Sequence, residues 1–439
     1  MRLKQKEFVI PVKKGHSDLL AHISAPDTFS FGADIPVRFA ITELSDQGYK
    51  CEIGLIENPE ERFCENSLDL FEFAPRKVAS NENFNAIFLV PTGIGSDIGG
   101  HAGDATPAVK IVAEVCDQVI LHPNVVNASE LNEMPLNSLY VEGSTITRLL
   151  MGQIGLVPVR SNRVLVVIDD HPISMFTNDN INSINAARST YGLNCTGIVK
   201  LNPPLCMTSS FSSSGTAIGE VVGLERLITV IEKFRGDFDA LAVASVIDTP
   251  QDYHEAYFKS SKDMTNPWGG VEAMLTHSLS MMYNFPTAHS PMLENHDVAN
   301  FDLGVVDPRK AAEAASLTFL QCMLKGLQKS PSICADKTLF GDKSVISAQD
   351  ISCLVIPDKC VGLPTLAALE QGISVIAVRE NKNFLLNQLE ALPWQKGQLH
   401  IVDNYLEAVG VLSALKAGIS PGSVRRPFAN AHVETMRFQ

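Results

Sequence analysis

Nine cysteines are scattered along 439 residues, and no two stand at C-x-x-C spacing; the closest pair is Cys353 and Cys360. Their odd number and apolar neighbours read as reduced, mostly buried thiols of a cytosolic protein. No apolar run approaches the roughly 18 residues needed to span a bilayer. The N-terminal stretch M-R-L-K-Q-K-E-F-V-I-P-V-K-K has only a five-residue apolar run broken by proline, which is no signal peptide. The expected placement is therefore cytoplasmic and soluble, with no membrane partner. Cations are outnumbered, with 35 Lys and Arg against 49 Asp and Glu, and the net charge of −14 argues against a nucleic-acid partner. H-E-x-x-H, H-x-x-x-H and G-x-x-x-x-G-K-[ST] are all missing, so no metal site is assigned. His289 and His296, with Glu294 and Asp297, could hold a cation, but a solvated loop explains them as well.

What is present is an ordinary globular composition, 45% hydrophobic and 19% charged, long enough for two or three domains. Residues 1–80 show short alternating segments (Glu7 to Val12, Leu19 to Ile23, Ile35 to Thr42, Tyr49 to Ile56, Leu68 to Phe73) separated by turn formers. Period-two alternation predicts a small antiparallel β-rich subdomain. From Phe84 strands alternate with helices. Near-continuous apolar runs such as Arg163 to Ile168 and Ala240 to Ile247 suit strands buried on both faces. The expected fold class is α/β, a mostly parallel, doubly wound (Rossmann-like) sheet over 84–260. A second α/β portion over 261–439 could continue the same sheet.

The centre of this pattern is residues 86–127. An apolar strand from Ala86 to Val90 breaks into a loop holding Thr92, Gly93, Gly95, Gly99, Gly100 and Gly103. A helix begins at Thr106-Pro107, and a second strand, Gln118 to Leu121, stops at His122-Pro123-Asn124. Small residues ahead of a helix let backbone N–H groups face an anion; tight turns alone are the bland alternative. The spacing is not that of a dinucleotide site. Gly93 and Gly95 fit G-x-G, but Gly99 comes one residue late, and the second strand ends in His122 rather than an acid. No nicotinamide cofactor is expected, and the cofactor is left unknown.

Other polar residues follow other strands: Asp169-Asp170-His171, Lys200 and Asn202, Asp248, Asp358-Lys359. In open parallel sheets ligands bind beyond these ends. His101 and Asp104 could serve as acid and base, or Asp104 as a cap. His122 is the better candidate for proton transfer, with Asn124 and Asn127 as donors to a carbonyl or carboxylate. Arg148 and Arg163 could clamp an anion or form surface ion pairs. Ser213, Ser214 and Gly215, in S-S-S-G before an expected helix, would suit a second anion-binding corner.

The segments V-P-T-G-I-G-S-D-I-G-G-H-A-G-D-A-T-P, L-H-P-N-V-V-N, Y-V-E-G, A-H-S-P-M, V-D-P-R-K-A-A-E and L-V-I-P-D-K-C-V-G-L-P-T-L-A-A-L-E-Q-G together resemble one family, known only as domain of unknown function 3326. The likeness covers roughly 84–380 and implies no reaction. It marks the five glycines, Asp104, His122, Pro123, Asn124, Glu142 and Gly143 as matching the family's pattern. That pattern often has an aromatic residue at the position of His101, which favours Asp104, His122 and Glu142 as the catalytic set.

The expected function is an enzyme acting on a small anionic metabolite, carboxylate or phosphate, by acid–base chemistry of lyase, isomerase or hydrolase type. A non-catalytic sensor of the same ligand is the alternative. A nucleotide-sugar transferase binding near Gly362 to Thr365 is a third reading, and homo-oligomerisation is left open.

Overall fold

The computed structural model describes residues 1–11, 19–24, 31–45, 48–65, 69–128, 132–250, 252–260, 264–316, 318–428 and 430–438. The helical turn expected over Ser129 to Asn132 falls mostly outside them.

Two large sheets carry most of the chain, with a small antiparallel pair, Gly155–Val157 and Ser332–Cys334, beside them. The smaller of the two large sheets has six parallel strands in the order Leu399–Val402, Ser374–Val378, Ile351–Pro357, Asn85–Phe88, Gln118–Leu121 and Ser138–Tyr140. Its order turns back on itself between Asn85–Phe88 and Ile351–Pro357. Successive connections leave that point in opposite directions and open a crevice beyond the strand ends.

The larger sheet has ten strands and is mixed, so the mostly parallel, doubly wound, Rossmann-like expectation does not hold. Six of its strands run antiparallel in the order Val361–Gly362, Ile35–Ser45, Gly48–Glu57, Arg2–Ile10, Ala217–Val222 and Cys206–Phe211. Strand Ala240–Asp248 joins them to a parallel group. Its first five residues pair with Val164–Asp169 and its last two with Met207 and Thr208, while Thr287–Met292 runs along its other edge. Cys195–Leu201 closes that group beyond Val164–Asp169.

The deviation has a local cause. Cys206–Phe211 and Ala217–Val222 are joined by a turn over 212–216, far too short for the crossover that a parallel pair needs. Their alternation is faint in sequence because Ser209 and Gly219 stand on the buried face while Cys206, Ile218 and Val222 stand on the outer one. Two further expectations fail nearby. Leu19–Ser24 is a helix with Leu19, Leu20 and Ile23 buried, not a strand. The segment from Pro308 to Leu327, which Pro308 at a first helical position predicts as one long helix, is interrupted between Ala311–Ala314 and Leu320–Gln328.

Helix Gly269–Tyr283 lies where the sheets meet. It packs on helix Gly143–Leu150 and on strands Ile35–Ser45, Ala217–Val222 and Thr287–Met292. All but four of its fifteen residues are buried, because it has protein on nearly every side. Among the described residues no helix is long and apolar enough to cross a membrane.

Candidate functional site

His122 follows strand Gln118–Leu121 directly, and Glu142 follows Ser138–Tyr140 by one residue, so two adjacent parallel strands deliver them to the same end of the smaller sheet. They line a cavity of about 160 Å³ together with Thr92, Asn124 and Asn127. Its far wall is supplied by helix Gly269–Tyr283, strand Thr287–Met292 and the short helix Ala311–Ala314, which contribute Glu272, His289 and Glu313.

The His122 ring is held by its own turn. Nδ1 accepts the N–H of Asn124 at 3.3 Å, so the neutral ring carries its proton on Nε2. Burial, with His277 beside it, lowers its pKa to about 3, and the ring is neutral at ordinary pH. Nε2 has no partner among the described residues. A Cβ placed on Gly143 would lie 3.0 Å from it and 2.7 Å from Nε2 of His277. Only glycine lets both rings converge there.

Three glutamates of the cavity are each tied to a histidine. Oε1 of Glu142 lies 3.0 Å from Nε2 of His277. The same carboxylate caps helix Gly143–Leu150, accepting the N–H groups of Ser144 and Thr145 at 2.9 and 3.1 Å. Glu272 Oε1 is 2.9 Å from Nδ1 of His289, whose Nε2 meets Oγ of Ser245 at 2.7 Å. Glu313 accepts the hydroxyl of Tyr257 at 2.8 Å, and that oxygen lies 2.6 Å from Nδ1 of His101. Burial raises Glu313 to about 7 in spite of further hydrogen bonds from Ala102 N–H and Asn266. Ser245, His289 and Glu272 have the order of a hydrolase triad. Ser245, however, is fully buried against Met207 and is not among the residues lining the cavity, so it orients His289 rather than meeting a substrate.

A family model described as "Protein of unknown function (DUF3326)" matches residues 85–425. The chain belongs to this family. An uncharacterized lipoprotein of Synechococcus sp. is 31% identical over 369 residues, covering 80% of this chain and 98% of that protein. No solved structure matches. A relative bearing the name lipoprotein overturns the cytoplasmic expectation, which rested on cysteine usage and an unremarkable N-terminus.

The DUF3326 region contains His122, Glu142, Glu272, His277, His289 and Glu313. It does not bring every expected residue to the cavity. None of Gly93, Gly95, Gly99 and Gly100 lines it. They serve close packing: a Cβ on Gly95 would strike the Phe384 ring, and one on Gly100 would sit 2.0 Å from the carbonyl oxygen of Ser96. Asp104 also stays away from the cavity, with Oδ1 accepting the N–H of Gly99 at 2.8 Å. His101 does not line it either; its Nδ1 meets the Tyr257 hydroxyl, which donates to Glu313.

The expected anion clamps are engaged elsewhere in the DUF3326 fold. Arg148 donates to Asn284 at 2.6 Å and to the carbonyl of Ser280, fastening the end of helix Gly269–Tyr283; burial lowers it to about 10. Arg163 makes a two-pronged pair with Asp239 at 2.9 and 2.8 Å. Ser213 binds Glu7 in the hairpin turn, with Ser214 and Gly215 beside it, and the chain continues into a strand instead of a helix. Asp169 and Asp170 end a strand of the larger sheet, so the polar strand ends do not share one rim. His277 and Glu272 escaped notice because they sit inside a buried helix. His289 and Glu313 stood in A-H-S-P-M and V-D-P-R-K-A-A-E, where only tertiary contact reveals a role. Among the described residues no group of three or more His, Cys, Asp or Glu is placed to hold a metal ion.

Proposed function

We propose that the cavity is an active site for proton transfer on a small carbonyl-bearing molecule, of lyase or isomerase class. The observation that carries this reading is the neutral, buried His122 ring on the cavity wall, its Nδ1 taken by Asn124 N–H and its Nε2–H left without a partner among the described residues. A neutral imidazole donor can polarise a carbonyl oxygen without surrendering a full charge. Glu313 is the base. A carboxyl raised to about 7 is half ionised near neutrality, where general base catalysis works best. The Tyr257 hydroxyl and His101 form a chain along which the abstracted proton can leave. Glu142 has a structural part instead: it caps helix Gly143–Leu150 and holds the ring of His277.

The test is deuterium uptake by a panel of small carbonyl compounds in D2O, followed by mass spectrometry. Wild type should label at least one compound; His122→Gln and Glu313→Gln should each lose labelling by more than a hundredfold while the ligand still binds. Binding by wild type with no exchange and no product would replace the enzyme with a sensor.

A further inference from the structure

We propose that a second chamber, built around Arg38, binds the anionic group, a carboxylate or phosphate, of the molecule that His122 acts on. The inference rests on the acid–base reading for the identity of that molecule, but not for the existence of the anion site.

The chamber has a volume of about 100 Å³ and shares Thr92, His122 and Gly143 with the first cavity, so the two meet at the paired imidazoles. It lies where the order of the parallel sheet reverses: Leu89, Pro91 and Thr92 beyond one strand and Ile356 and Cys360 at the end of the other line it. Arg38 enters from strand Ile35–Ser45 of the larger sheet, with only 10% of its side chain exposed.

A buried guanidinium needs partners for its five N–H groups. Here Nη1 donates to Gln5 Oε1 at 2.8 Å, and Glu52 Oε2 stands at 3.8 Å, beyond hydrogen-bond reach. Both Glu52 oxygens are occupied, by Gln5 Nε2 at 2.8 Å and by the Thr216 hydroxyl. Nε and Nη2 of Arg38 have no partner among the described residues. Burial lowers the pKa of Arg38, and Glu52 offsets only part of that cost. This is the electrostatic state that an incoming oxyanion relieves, with two N–H groups in the fork geometry that carboxylate and phosphate match.

A second donor set faces the same space. Gly362, Leu363, Pro364 and Thr365 line the chamber at the start of the nine-residue helix Leu363–Gln371, and Gly362 supplies no side-chain cap. The first turn, without the N–H that Pro364 lacks, carries the positive end of the helix. The first cavity, by contrast, has glutamates and neither Lys nor Arg among its lining residues. The two chambers together fit a molecule with an anion at the Arg38 end, its carbonyl oxygen near Gly143, and an uncharged or cationic remainder.

The experiment is thermal unfolding of the full chain titrated with acetate or inorganic phosphate, at constant ionic strength against chloride. Wild type and His122→Gln should both gain a saturable rise in Tm from at least one of the two anions. Arg38→Met combined with Glu52→Gln, which removes both charges together, should weaken that response at least tenfold. Arg38→Lys keeps the charge but loses the fork, and should weaken it several-fold; it decides the matter if the double variant does not fold. Saturation by phosphate alone assigns a phosphate group, and by acetate alone a carboxylate. No saturable effect in wild type, or a wild-type response in the Arg38 variants, overturns the proposal. Loss of deuterium exchange with the anion response intact would instead remove the catalytic reading and leave this site standing.

Discussion

Nε2 of His277 lies 3.0 Å from Oε1 of Glu142. That contact joins the first turn of one buried helix to the middle of another, and it faces the ring of His122 across the bare Cα of Gly143. The stability of the helix pair and the chemistry of the cavity therefore depend on the same carboxylate.

Glu142→Ala should lower unfolding stability by about 2–4 kcal/mol, the sum of a lost cap and of buried donors left without an acceptor. Urea unfolding measures it. Glu142→Gln should cost less, because the amide oxygen still accepts the N–H groups of the first turn. Equal losses in the two variants would mean that charge, not capping, is what the helix needs.

The pH dependence of His122 has a definite sign. Its folded pKa, about 3, lies below the ordinary value of 6.5, so the unfolded chain takes up the proton first. Stability from this residue is complete above pH 6.5 and declines as pH falls toward 3, with a slope of at most about 1.4 kcal/mol per pH unit. Relative to wild type, His122→Gln should therefore be more stable at pH 4 than at pH 7. A difference that stays constant with pH would show that the ring is charged in the fold or open to water.

Asp104 behaves in the opposite sense. Burial raises it to about 7, above its ordinary value of 3.8. Its contribution is most favourable below pH 3.8 and is lost as pH rises to 7. Asp104→Asn keeps an oxygen for the Gly99 N–H and should stabilise the protein by more than about 1 kcal/mol at pH 8, with little change near pH 4. Deuterium exchange should stay within threefold of wild type, because the residue does not line the cavity. A large loss of exchange would return Asp104 to the catalytic set.

Arg148→Met should cost about 2–3 kcal/mol, the range for hydrogen bonds from a charged group, while leaving anion affinity unchanged. The reverse result, weaker anion binding with an unaltered Tm, would mean that the guanidinium turns toward ligand and away from Asn284.

Much of the smaller sheet was readable along the chain. Parallel strands covered on both faces are short apolar runs, and Gln118–Leu121 and Ser374–Val378 are such runs, each bounded by polar or glycine-containing turns. The hairpin Cys206–Phe211 with Ala217–Val222 was not readable, since Ser209 and Gly219 on its buried face and Ile218 and Val222 on its outer face hide the period of two. Nor was the division into two sheets, because apolar strands of either sheet look alike until they are paired.

The sequence by itself determined that polar residues follow apolar strands, and it placed Thr92, His122, Asn124, Asn127 and Glu142 at such ends, where the backbone must turn and polar groups find no strand partner. Only the tertiary structure decided which distant residues meet them. Helix Gly269–Tyr283 brings His277 and Glu272, the broken helix brings Glu313, and an antiparallel strand brings Arg38. Those meetings arise from burial of apolar faces on one another, a force without direction that leaves no local spacing to read.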